Sequence, residues 1–254
     1  DCEENPNGAA LEDQCGTCDS DSSNDCVQDC AGEWGGVAVV ETYYNDQVIR
    51  LLQNYRSAYM QLAVTYYMDY QQEKRKKSPD EYALIDLSEK AISVLDQMRF
   101  NIPESTIPIT SEDLHYQVAR LYGDLNRKDS MKDILDELIS MGGLSPSNKV
   151  EYANVYFREL DDTEMAINIL SDLQNEYIKM ENMVKIKGFS KGSVSTARWN
   201  RWQKAFPDIV SSLVYIYKST DQYLEAEDVL VNWISRFPND NNAKKLLEEV
   251  RIQD

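Results

Sequence analysis

After residue 45, apolar and polar residues alternate along the chain with the period of an α-helix. Apolar side chains recur three and four positions apart, which is typical of one buried helix face, and strong strand patterns are absent from this body of the sequence. The pattern predicts nine helices, bounded approximately by residues 46–73, 80–99, 111–125, 129–142, 146–160, 163–183, 195–218, 221–236 and 240–251. We therefore expect an all-α body.

The predicted helices form pairs in which one spacing recurs. An aromatic residue precedes a small or apolar residue by nine positions three times: Tyr122 before Met131, Phe157 before Ala166, and Tyr217 before Ala226. In a fourth pair, Tyr66 and Ala91 are 25 positions apart, and the extra residues include a basic stretch near 71–79. A small residue lets the two helices of a pair approach closely, and the aromatic side chain fills the space between neighbouring pairs.

This spacing resembles that of the tetratricopeptide repeat, a helical hairpin of about 34 residues. The resemblance covers most of residues 43–254, with an insertion near 71–79 and a linker near 185–195. It implies a solenoid of stacked hairpins, and such solenoids present concave surfaces that bind other molecules. The expected fold is thus an all-α solenoid that carries a small irregular N-terminal arm.

Two further segments carry a second resemblance. They are the stretch from Tyr43 to Ala58 and the stretch Ile102-Pro103-Glu104 with Ile107-Pro108. Together they are similar to the soluble C-terminal tail of large bacterial membrane proteins with a multispanning glycosyltransferase-like body. That resemblance implies a location outside the cytoplasmic membrane. It brings no transferase activity with it, because the apolar runs of this chain are too short to span a bilayer.

Residues 1–42 form an acidic, cysteine-rich arm of different composition. Its first 41 residues hold all five cysteines and eleven acidic residues, and they contain no Lys or Arg. Shifted by 28 positions, the arm matches itself from Asp1-Cys2 on Asp29-Cys30 to Asp13 on Glu41, so it contains one and a half repeats. It resembles the short acidic cysteine-rich repeats found in tandem in large bacterial surface proteins, which also implies a location outside the cytoplasm.

The cysteines of the arm predict disulfide bonds. Five cysteines within 30 residues are typical of an oxidising compartment, and they are Cys2, Cys15, Cys18, Cys26 and Cys30. The alternative is a zinc site that uses the pair Cys15 and Cys18, although the surrounding Asp and Asn residues are hard oxygen donors that suit calcium better. An odd count leaves one cysteine without an intramolecular partner if the others pair.

Alternating oxygen donors between Cys18 and Cys26 indicate a calcium site. They are Asp19, Asp21, Ser23 and Asp25, spaced as ligands are in calcium-binding loops. The central Gly and the terminal Glu of an EF-hand loop are missing, so the alternative is a solvated acidic loop without an ion. Calcium is the only cofactor that the sequence suggests.

The arm also contains a small apolar group that is expected to form an interface. Its members are Trp34, Val37, Val39 and Val40. They fall in the second repeat, which stops before its downstream cysteines. We expect them to contact a second copy of the chain, with docking on the first hairpin of the same chain as the alternative.

Charge and residue content argue against several functions. The net charge of −18 repels nucleic acid and anionic lipid. The only histidine, His115, is interpreted as a packing or surface residue on a helix, and no phosphate-binding glycine loop is present. The sequence therefore predicts no catalytic residue and no cofactor-binding residue.

The expected function is that of a non-catalytic extracytoplasmic interaction or structural module. It would assemble with itself through the arm, or bind other surface proteins, in the secreted or cell-surface space, with the periplasm as an alternative. Two other functions stay open: an accessory domain of an envelope glycosyltransferase-like membrane protein, and a peptide- or glycan-binding adaptor. The adaptor hypothesis rests on lysines near 185–195 followed by Trp199, Trp202 and Phe206, whose alternative role is the hydrophobic core.

Overall fold

The computed structural model describes residues 11–12, 18–19, 45–189 and 194–253. The chain divides into two compact units, residues 1–54 and residues 55–254. In the first unit, strand β1 (Leu11–Glu12) pairs with strand β2 (Cys18–Asp19) in antiparallel orientation. Leu11 lies opposite Asp19, and Glu12 lies opposite Cys18.

The rest of the described chain is helical, which confirms the all-α prediction for the body. The helices within residues 45–253 are α1 (Asp46–Lys74), α2 (Glu81–Asn101), α3 (Glu112–Asp124), α4 (Lys128–Ser140), α5 (Pro146–Arg158), α6 (Thr163–Lys187), α7 (Thr196–Ser219), α8 (Tyr223–Arg236) and α9 (Asn241–Gln253). All nine predicted helices are found, and their boundaries differ from the predicted ones by four residues or fewer. None of these described helices has a stretch sufficiently long and apolar to cross a membrane.

Polar side chains fix the starts of several helices. A free backbone N–H in the first turn of a helix is satisfied by an acceptor on the residue that precedes it. Such caps are formed by the side chains of Asp80, Ser111, Ser145, Asp162 and Ser195. These residues end the connecting segments and therefore set where each of these five helices begins.

From α3 onward, helices that follow each other in the chain pack against each other. In the second unit α3 packs on α4, α5 on α6, α7 on α8 and α8 on α9, while α7 also contacts α5 and α6. One continuous cluster of buried apolar side chains runs through the unit. The predicted small or apolar positions Ala91, Met131, Ala166 and Ala226 all have no exposed surface, and the last three belong to this cluster.

Three helix connections share one backbone geometry. Asn126, Asp161 and Asp221 have φ values of 61°, 56° and 57°, in the left-handed region. In each case the next N–H turns back to a tyrosine carbonyl on the preceding helix, as in a Schellman motif. These bonds join Arg127 to Tyr122 (2.8 Å), Asp162 to Tyr156 (2.9 Å) and Gln222 to Tyr217 (2.8 Å).

The second of these connections differs from the predicted spacing by one residue. The aromatic residue that accepts the turn hydrogen bond is Tyr156, which is fully buried, whereas Phe157 is only partly buried. The last turn of α5 contains an extra residue, because Glu159 and Leu160 both donate to the carbonyl of Val155. Phe157 instead packs edge-on against Tyr215 of α7, with ring centroids 5.9 Å apart.

An aromatic cluster lies where α6, α7 and α8 meet. Tyr177 stacks on Phe206 with ring centroids 3.6 Å apart, and Trp199 stacks on the same tyrosine at 5.4 Å. Trp233 contacts Phe206 at 5.4 Å, and its Nε1 donates to the carboxylate of Asp240 at 2.9 Å. Phe206 and Trp202 are almost fully buried, so these side chains belong to the core.

Candidate functional site

The single histidine of the chain lies in a buried polar cluster. His115 is on α3 and only 1% of its surface is exposed. Its Nε2 is 3.0 Å from Oε2 of Glu104, in the connection between α2 and α3, and 3.7 Å from Oε2 of Glu137, on α4. One imidazole and two carboxylates from three different segments therefore converge.

The polar atoms of this cluster are poorly satisfied. Across the described part of the chain, neither ring nitrogen of His115 makes a hydrogen bond of good geometry, and the same holds for Oε1 of Glu104. A buried polar atom without a partner costs about 1–3 kcal/mol of stability. Such a cost is commonly retained where the group binds something.

Two arginines hold the carboxylates in place. Arg56 of α1 is 3% exposed and donates to the carbonyl oxygens of Ile102 and Pro108 at 3.1 and 3.4 Å, and it also donates to Ile107. It thus fixes the loop that carries Glu104. Burial lowers the pKa of Arg56, and the charge of Glu104 opposes this shift. Arg99 of α2 lies 3.5 Å from Oε1 of Glu137, which leaves Oε2 of that carboxylate facing His115.

Buried tyrosines form a second set of polar contacts, between successive hairpins. The hydroxyl of Tyr122 on α3 donates to Asp96 on α2 at 2.7 Å, and the hydroxyl of Tyr156 on α5 donates to Asp136 on α4. Burial raises the pKa of both tyrosines, and the hydrogen bonds to the two carboxylates raise it further. These hydroxyls are held protonated as donors, which is a structural role.

A polar cleft of about 530 Å³ lies beside the start of α5. Its lining includes Lys149, Arg198 and Arg201, and also Glu112 and Glu176. Among the described side chains, Lys149 and Arg198 have no ion-pair partner. The cleft is therefore a place where cationic groups are available to an anionic ligand.

One of the two carboxylates in this cleft is already engaged. Glu112 accepts hydrogen bonds from the Asn148 side chain at 2.6 Å and from the Tyr152 hydroxyl at 2.9 Å. Both donors belong to α5 and both bond to Oε1, so this carboxylate is held against α5.

Most of the residues predicted as sites lie outside the described part of the chain. This applies to Cys2, Cys15, Cys26, Cys30, Asp21, Ser23, Asp25, Trp34, Val37, Val39 and Val40. For Cys18 and Asp19 the structure gives only the backbone, in strand β2. The disulfide, calcium and interface predictions therefore stay predictions. Sequence analysis missed one candidate site: His115 was interpreted as a packing or surface residue, and its two carboxylate neighbours were not predicted.

No protein-family model matches the chain, and no curated protein matches it significantly.

Proposed function

We propose that the helical body is a tetratricopeptide-like solenoid that acts as a non-catalytic interaction module outside the cytoplasm. The observation that carries this proposal is the repeated turn. Asn126, Asp161 and Asp221 each have positive φ, and each precedes a fully buried residue by five positions. Repetition of one backbone turn and one buried position is what a chain of homologous hairpins produces.

The cleft beside α5 is the proposed binding surface for an acidic segment. Lys149, Arg198 and Arg201 give it a cationic lining. The segment of this chain with the opposite charge is the arm, whose first 41 residues contain eleven acidic residues and no Lys or Arg. We therefore propose that the cleft of one molecule binds the arm of a second copy.

Two features of the arm support assembly between molecules. Its cysteine count is odd, and its second repeat stops halfway, so that Trp34 and the valines at 37, 39 and 40 lack the cysteines that would enclose them. An apolar group released in this way is stabilised when a neighbour covers it. Contact between the arm of one copy and the body of the next is head-to-tail, which generates a filament unless the rotation closes a ring.

Light scattering of the full-length oxidised chain in calcium tests this proposal. At high micromolar concentration the mass should exceed the 29.2 kDa of one chain, and high salt should lower it because the contact is electrostatic. The double variant Arg198→Glu, Arg201→Glu should return towards the monomer mass. Lys244→Glu with Lys245→Glu, at exposed cations on α9, is the matched control and should still assemble. A full-length chain that is already monomeric under these conditions overturns the proposal.

The second candidate function is an accessory domain of an envelope glycosyltransferase-like membrane protein. One observation favours it: the two sequence segments on which that resemblance rests are in contact. Arg56, in the first segment, donates to carbonyl oxygens of Ile102, Ile107 and Pro108, which belong to the second. The complete reading frame decides between the two functions, because this candidate requires membrane spans in the same gene.

A further inference from the structure

We propose that Glu104, His115 and Glu137 bind a divalent transition-metal ion, with Zn²⁺ as the best match. This site is separate from the calcium site predicted in the arm, and it does not depend on the interaction function. The argument rests on the chemistry of the donors, their spacing and the unsatisfied state of the histidine.

The donor set selects a class of ion. An imidazole nitrogen favours zinc, copper, iron or nickel, whereas calcium and magnesium prefer oxygen donors alone. Three protein ligands also equal the number found at zinc sites that keep a fourth position open. Glu137, whose side chain is about half exposed at 49%, provides the way in from solvent and room for a water ligand.

The spacing suits one ion between the three groups. Zinc binds nitrogen and oxygen at about 2.0–2.2 Å, so two ligands of a tetrahedral site lie about 3.4 Å apart. In the cluster, Nε2 of His115 is 3.0 Å from Glu104 and 3.7 Å from Glu137, and all three ligand atoms lie within 4.8 Å of one another. Small side-chain movements are sufficient to close the site.

The buried histidine supplies the independent observation. Both of its ring nitrogens lack a hydrogen bond although the residue is 99% buried, since only 1% of its surface is exposed. Metal coordination at Nε2 would satisfy one of them. Arg56 and Arg99 place two positive charges near the carboxylates, so the ion should bind more weakly than at a site with two uncompensated acids.

Occupation of the site would connect three segments of the fold. The ion would join the loop that follows α2 to α3 and α4, and so would close the α3–α4 hairpin onto its neighbour. Because the ion binds the folded state, the free energy of unfolding would rise with the logarithm of the ion concentration, and the unfolding temperature would rise with it. Its role would be to stabilise the fold.

The test uses the full chain with its disulfides intact and histidine labelled with ¹⁵N. His115 is the only histidine, so the spectrum contains one imidazole. After treatment with a chelator, adding Zn²⁺ at pH 7 should shift the Nε2 resonance and leave Nδ1 protonated. Zinc that binds cysteines of the arm leaves this signal unchanged, so the readout is specific to the site.

Two variants complete the test. Glu137→Gln, at a half-exposed position, should lower the Zn²⁺ affinity read from the Nε2 shift by at least about 10- to 100-fold, the loss already typical when a partner of a ligand is removed. Glu164→Gln, at an exposed glutamate on α6, is the control and should bind as the unmodified chain does. An Nε2 resonance that does not respond to excess Zn²⁺ overturns the proposal. An equal response of Glu137→Gln and Glu164→Gln to Zn²⁺ also overturns it. So does a shift of both ring nitrogens that depends on pH and not on Zn²⁺, because that shift indicates a protonated His115 paired with Glu104.

Discussion

Tyr122 and Tyr156 have the same role in successive hairpins. Each is fully buried on the first helix of its hairpin and donates its hydroxyl proton to an aspartate on the preceding helix. A net contribution of about 1 kcal/mol is typical of such a hydrogen bond. The two bonds therefore help to fix how one hairpin sits on the next.

The raised pKa values of these tyrosines predict sensitivity to alkali. In the folded chain they keep their protons at a pH where the unfolded chain, with an ordinary tyrosine pKa of about 10, loses them. Their contribution is therefore complete below about pH 10 and is lost as the pH rises above that value. Between pH 9 and pH 11, the free energy of unfolding measured with denaturant should fall less in the double variant Tyr122→Phe, Tyr156→Phe than in the unmodified chain.

A control for this prediction is available on α2. Tyr82 is 87% exposed, so Tyr82→Phe should leave the dependence on pH unchanged. An equal loss of stability in the double variant and the unmodified chain would contradict the role given to the two buried hydroxyls.

Burial of Ala226 leads to a prediction about packing. Ala226 has no exposed surface and lies at the start of α8, which packs on α7. Ala226→Trp should lower the free energy of unfolding by about 1–3 kcal/mol through overpacking. Ala197→Trp, at an exposed alanine on α7, serves as the control in thermal unfolding. Equal melting temperatures for both variants would show that the nine-residue spacing from Tyr217 to Ala226 does not mark the contact between α7 and α8.

Residue-scale detail was the part that the sequence predicted least well. Helical periodicity located Ala226 and Ala166 in the core, because burial on one helix face repeats along the chain. The His115 cluster has no such local signal, since Glu104, His115 and Glu137 come from three segments that meet only after packing. Tyr156, and not the predicted Phe157, is the aromatic residue that accepts the turn hydrogen bond. The reason is that one extra residue in a helix turn rotates every later side chain by about 100°.

At the scale of the element, the α3–α4 hairpin has a large residue on its second helix where other hairpins have alanine, and a glycine on its first helix faces it. Met131 occupies the position that is alanine in the hairpins of Ala166 and Ala226. The space comes from Gly123 on α3, because a Cβ atom there would overlap the sulfur of Met131. The departure from the predicted small residue is thus compensated within the same pair of helices.

This exchange predicts strong coupling between two substitutions. Gly123→Ala alone introduces a clash that opposes the gain of about 1 kcal/mol from better helix propensity. In a Met131→Ala background the clash is gone, so Gly123→Ala should be more favourable there by about 1–3 kcal/mol. A double-mutant cycle measured by urea unfolding gives this energy. Additive effects would contradict the predicted clash between a Cβ atom at position 123 and the side chain of Met131.

At the scale of the whole molecule, the predicted arm should respond to calcium and to reductants, while the helical body should respond to neither. We expect at least two disulfides among the five cysteines, each worth about 2–4 kcal/mol. Intact mass before and after reduction measures them, and five free thiols in natively isolated protein would contradict the prediction.

Calcium removal gives a separate prediction for the arm. If Asp19, Asp21 and Asp25 bind the ion, chelation should increase proteolysis near residues 19–25 and leave the helical circular dichroism almost unchanged. Equal cleavage with and without chelator would favour the solvated acidic loop.

The aromatic cluster between α6, α7 and α8 determines what intrinsic fluorescence reports. Three of the four tryptophans, Trp199, Trp202 and Trp233, belong to α7 and α8, and the fourth is Trp34 of the arm. In a Trp34→Phe variant, tryptophan emission, excited selectively, therefore follows α7 and α8, whereas far-ultraviolet dichroism follows all the helices. If neighbouring hairpins unfold one after another, as nearest-neighbour coupling in repeat arrays allows, the two melting curves will separate. Their order will show from which end the molecule opens.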